Sequence, residues 1–161
     1  MTKPRFVITA IACALAGACS NDPVRPGDVL PMQEVLSIQN AMTGIETPTR
    51  TLIASPETWA NAWANIFANY APTQRPPLPA IDFDSRVVVL AAAGLRGAQG
   101  FFFTIEEVRA HDGTLQVLVL ERWPSCGTLP ALSAPVHAVS VPRVATTAEF
   151  TLTKQGPPTC N

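Results

Sequence analysis

Phe101-Phe102-Phe103-Thr104-Ile105-Glu106-Glu107-Val108-Arg109, then His111-Asp112-Gly113, then Thr114-Leu115-Gln116-Val117-Leu118-Val119-Leu120-Glu121-Arg122-Trp123 is the stretch that decides the fold. Two runs rich in aromatic and β-branched residues flank an Asp-Gly pair, the strongest short-range signal for a β-hairpin. Just upstream, Arg86-Val87-Val88-Val89-Leu90-Ala91-Ala92-Ala93 is apolar after its first residue and β-branched at its start. A strand of that kind is buried on both faces. Met32 to Gln39, Arg50 to Ala54, Val136 to Val141 and Ala148 to Leu152 complete about seven strands.

One helix is expected, opening at Ser55-Pro56-Glu57. Serine accepts from an orphan amide, proline has no amide to lose in the first turn, and glutamate complements the helix dipole. Trp59, Trp63, Ile66, Phe67 and Tyr70 then fall on one face, with Asn61, Asn65 and Asn69 opposite. Such a stripe is a core face, not a carbohydrate platform. Pro72, Pro76, Pro77 and Pro79 stop the helix and stiffen the connector that follows. The expected fold is α+β: an antiparallel β-sheet or small β-sandwich of about seven strands with one amphipathic helix packed on it.

Met1 to Ala18 has a leader layout: Lys3 and Arg5, an apolar run too short to span a bilayer, then Ala16-Gly17-Ala18. Removing residues 1–18 leaves 143 residues, enough for one domain. That remainder carries 9 Lys+Arg against 12 Asp+Glu, so no basic face points to nucleic acid. Residues 20–31 hold three prolines without periodicity and read as a tether, leaving 32–161 as a single globular domain. Cys126 and Cys160, an even pair in an oxidising compartment, are expected to form a disulfide that pins the tail.

The chemical inventory is thin. His111 and His137 stand apart, no nucleophile motif appears, and no ligand spacing suggests a metal. The expectation is a protein without catalytic residues, metal or cofactor. Gly94-Leu95-Arg96-Gly97-Ala98-Gln99-Gly100 has three glycines three apart, but a strand follows it where a phosphate site needs a helix. It is expected to form an irregular hairpin. Arg96, Gly97, Gln99, Gly100 and Phe101 are the candidate partner-binding residues, with Arg96 reaching outward toward a carboxylate.

Leu15-Ala16-Gly17-Ala18-Cys19 resembles the lipobox of bacterial lipoproteins, although the family prefers Leu where this chain has Ala16. The resemblance implies acylation of Cys19 and a lipid anchor in the cell envelope; Ser20 resembles the outer-membrane sorting pattern of two-membrane bacteria. Residues 52–143 resemble the C-terminal domain of the PrcB family, lipoprotein subunits of surface protease complexes. The matching features, in order, are Trp59 and Trp63, Asp82-Phe83 before the apolar strand, and the glycine loop entering an aromatic strand. Pro124-Ser125-Cys126 and the closing run Ser133 to Arg143 follow the hairpin. The family usually has a Lys-Pro-Thr-Gly-Gly-Tyr loop where this chain reads Arg96-Gly97-Ala98-Gln99-Gly100-Phe101, and an aromatic where it has Val136. The resemblance implies a non-catalytic protein-binding or complex-stabilising role beside a protease. The alternative is a peptidase inhibitor presenting loops 94–100 and 124–134 from one end of a sandwich.

Overall fold

Arg86–Ala92, the apolar run, forms a strand buried along six of its seven residues. The computed structural model describes residues 27–98, 100–124 and 130–156. Within them the elements run β1 (Gln33–Ile38), β2 (Thr49–Ile53), α1 (Pro56–Ile66), β3 (Arg86–Ala92), β4 (Phe102–His111), β5 (Thr114–Arg122), β6 (Val136–Pro142) and β7 (Thr147–Gln155). A single 3₁₀ turn, Pro72–Gln74, opens the proline connector. The fold is α+β, with a four-stranded sheet ordered β1-β6-β3-β2 and a three-stranded sheet ordered β4-β5-β7.

β3 is buried on both sides because its two faces feed different cores. Val87, Val89 and Ala91 join Val139 and Val141 of β6 in a cluster with Phe103, Ile105 and Val108 of β4 and Leu115, Val117 and Val119 of β5. Val88, Leu90 and Ala92 face the other way, onto Trp59, Trp63 and Ile66 of α1. At the start of α1, Ser55 Oγ accepts from Thr58 N at 3.2 Å, the capping expected of that sequence. The indole N–H groups of Trp59 and Trp63 donate to the Pro79 and Pro76 carbonyls, so the proline connector lies back along the helix. Buried indoles need such acceptors.

The hairpin forms as expected: Asp112 and Gly113 both have positive φ, 45° and 79°, between paired His111 and Thr114. Two expectations about strand pairing change. The sheets are not wholly antiparallel, because β7 runs parallel to β5 from Thr114↔Thr147 to Arg122↔Gln155. The chain leaves β5, crosses to the other sheet as β6, and returns in the same direction as β5. Nor does loop 94–100 close a hairpin: β3 and β4 belong to different sheets, and the loop crosses between them.

The outer edge of β4 is occupied by other parts of the chain. Leu30 N donates to Val108 O and Ala110 N to Asp28 O, and the Leu30 side chain is buried in the core, so residues 27–30, expected to belong to the tether, are docked on the domain. The Gln39 amide both accepts from Phe103 N at 2.8 Å and donates to Phe103 O at 3.0 Å, as a neighbouring strand would. Ile105 N lies beside a β-bulge and donates to His137 Nδ1 at 3.0 Å.

Candidate functional site

Loop 94–100 is held from both sides. Leu95 N donates to Glu46 O at 2.9 Å, and Arg96 exchanges two backbone hydrogen bonds with Ser133, 2.8 and 3.0 Å. Loop residues 130–134 are fixed in turn by Thr43, whose hydroxyl donates to Ala134 O, and by Ala134 N, which donates to Ala41 O. The two loops singled out in the sequence are thereby joined at an antiparallel bridge, Arg96↔Ser133. Gly94 makes this path possible. Its φ is +74°, and a Cβ there would sit 2.7 Å from Pro48 N and 2.8 Å from Glu46 O. Gly97, by contrast, has open space around it.

Arg96 does not reach outward. Its Nε donates to Glu121 Oε1 at 2.9 Å, with the two side chains 19% and 1% exposed. Nη1 donates to Leu95 O, and Cζ lies 5.9 Å from the centre of the Phe101 ring. The reason lies in β5, where Leu115, Val117 and Val119 point inward and the same alternation carries Glu121 inward. A buried carboxylate demands a cation, and Arg96 supplies it. Glu121 Oε2 has no hydrogen-bond partner among the described residues.

Phe101, buried, meets Trp123 edge-on at 5.1 Å. Pro48, Leu95, Arg96, Phe101, Trp123 and Lys154 line an open groove of about 600 Å³ with Glu121 at its base. Leu95 is 43% exposed, Trp123 46% and Leu132, next to the bridge, 60%. Exposed aromatic and aliphatic side chains thus stand beside a groove whose loops are hydrogen-bonded to one another. Of the candidates, Arg96, Gly97 and Phe101 come together here. Gly100 N donates to Asn40 Oδ1, at the far end of the loop. Gln99, Cys19, Cys126, Cys160 and residues 125–129 lie outside the described residues. Glu121, Trp123 and Lys154 were not singled out from the sequence; the inward parity of Glu121 in an apolar strand was the available signal.

His137 is buried between the sheets, with Nε2 3.2 Å from Glu34 Oε2. Burial lowers its pKa below the ordinary 6.5, and the Glu34 carboxylate opposes that shift without reversing it. Because Nδ1 accepts from Ile105 N, the neutral ring carries its proton on Nε2. Both nitrogens are therefore engaged in holding the fold. Among the described residues no group of three or more His, Cys, Asp or Glu is placed to hold a metal, and no helix is long and apolar enough to cross a membrane. Compared with protein-family models, with curated proteins and with solved structures, the chain matches none.

Proposed function

We propose that this is a lipid-anchored bacterial envelope protein whose role is non-catalytic: it binds or stabilises another protein, a protease complex being the candidate setting. In this reading residues 1–18 are a leader, Cys19 is acylated, the segment from 19 to the docked residues 27–30 tethers the domain, and 32–161 form one globular domain with a PrcB-like core at about 52–143. The two sheets act as a small sandwich, with α1 as an amphipathic helix on its outer side. The host membrane is the outer one where two are present, and Cys126 and Cys160 close a disulfide.

One observation carries the binding role: the Arg96↔Ser133 bridge joins two loops that are far apart in sequence into one supported rim. Leu95, Trp123 and Leu132 stand exposed beside it. Rigid supports under an apolar rim favour association, because little order is lost on contact. The inhibitor reading uses the same rim, wedged into a protease cleft.

The test compares the exported chain with its Leu132→Glu variant. Leu132 is an exposed residue, so folding stability is expected to change by no more than about 0.5 kcal/mol. Cross-linking in intact envelopes followed by mass spectrometry is expected to lose the variant's partner. Undiminished cross-linking would refute the rim as the contact surface. Protease activity in the recovered complex separates the readings: retained for a stabiliser, suppressed for an inhibitor. Cys19→Ala is expected to release a folded protein from the membrane fraction, and retention there would refute the anchor.

A further inference from the structure

The sheet edges are finished in different ways. β4 is covered along its length by 27–30, Gln39 and His137. β1 is six residues long and carries a register shift between Glu34 and Leu36, while β2 has only five residues. β7 has nine, contains no proline, and keeps unbroken register with β5. Among the described residues nothing bonds to its outer side. Long, regular, unpaired edges are templates for another strand, and proteins usually shorten, bend or cover them.

The direction of the free groups can be read from one bond. Trp123 N donates to Gln155 O, so Gln155 turns its main chain toward β5. By alternation the other odd-numbered residues of β7 do the same, and Ala148, Phe150, Leu152 and Lys154 turn their N–H and C=O groups outward.

We propose that β7 pairs antiparallel with β7 of a second copy of this chain, about a two-fold axis at Thr151, joining the two three-stranded sheets into one. The strand is self-complementary in that register. Phe150 lies opposite Leu152, Ala148 opposite Lys154, Glu149 opposite Thr153, Thr147 opposite Gln155, and Thr151 opposite itself. Every outward main-chain group of β7 then meets a partner. Phe150 and Leu152, which pack only partly buried against the inter-sheet core, gain apolar neighbours. A two-fold axis keeps side chains on their own face, so the alternatives differ by steps of two residues. One such step sets Phe150 against Lys154, and the opposite step leaves Lys154 and Gln155 unpaired. A further step that way sets Glu149 against Glu149. Thr151 is the centre that satisfies pattern and charge together.

Thr151 is exposed on the outer face, so replacing it leaves the monomer's core untouched. Sedimentation equilibrium of the exported chain in non-ionic detergent, with non-reducing electrophoresis to exclude a disulfide-linked dimer, is expected to show a monomer–dimer equilibrium. Thr151→Lys and Thr151→Glu each place like charges opposite one another and are expected to weaken it up to about fivefold at low salt. Mixing the two variants is expected to restore association through a Lys–Glu pair. Amide exchange at Phe150 and Leu152 should slow as concentration rises, while exchange at Thr151 stays slow throughout. A monomer at all concentrations would overturn the proposal. So would a dimer indifferent to both Thr151 variants, which would place the contact elsewhere.

Discussion

Arg96→Ala is the substitution on which the account of the groove depends. In the folded protein Arg96 Nε is the one described donor to Glu121, whose side chain is 1% exposed. Removing the guanidinium leaves a carboxylate buried with neither oxygen satisfied. Breaking a buried ion pair from one side costs about 3–5 kcal/mol, because the remaining charge loses its compensation. The contact with the Phe101 ring adds about 0.5–1 kcal/mol. Arg96 itself is 19% exposed, and water entering the vacated space recovers part of the loss. The expected destabilisation is therefore about 3 kcal/mol, a large share of the roughly 5–15 kcal/mol that holds a domain together. Urea unfolding followed by tryptophan fluorescence measures it; with a slope of about 1.5 kcal/mol/M the midpoint falls by about 2 M. The double variant Arg96→Met, Glu121→Leu removes both charges and is expected to recover most of the loss. If Arg96→Ala stays within about 0.5 kcal/mol of the parent, Arg96 is an ordinary surface residue and the reasoning fails.

Three further outcomes are expected. Gly94→Ala costs about 1–2 kcal/mol for its left-handed backbone alone, with overlap against Pro48 and Glu46 added, whereas Gly97→Ala leaves stability unchanged or raises it by up to about 1 kcal/mol; thermal unfolding of the pair checks this. Lowering the pH from 6.5 weakens the fold through His137, because the unfolded chain takes up a proton that the buried ring resists; stability from this group is complete above 6.5 and declines below it. His137→Asn keeps an acceptor for Ile105 N and should flatten that decline in pH-dependent urea titrations; an unchanged slope would assign it to other groups. Ser55→Ala removes the cap from α1 and costs about 1 kcal/mol, read from the unfolding midpoint.

The strands were legible because each carries its own pattern. The apolar run 86–92 declared two buried faces, and Asp112-Gly113 declared its turn. Pairing was less legible. The alternation in 147–155 tells which side chains point inward, and it reads the same whether the neighbour runs parallel or antiparallel. Loop 94–100 has the length and composition of a hairpin connection; only the sheet assignment of its flanks, fixed by distant residues, makes it a crossover. The role of Arg96 was hidden for a related reason. Between glycines it resembles a solvated side chain, and its partner Glu121 lies 25 residues away in another strand. Reading the two together required noticing that Glu121 shares the parity of Val117 and Val119.

The place of β6 has a consequence for the order in which the chain can fold. Among the described strands β1 pairs only with β6, and β6 separates it from β3. Until residues 136–142 have been synthesised, β1 has no strand to join and the four-stranded sheet cannot close. The segment that completes the sheet therefore leaves the ribosome after every other strand of that sheet. A polypeptide built this way holds its first strand unpaired while β2 through β5 are made.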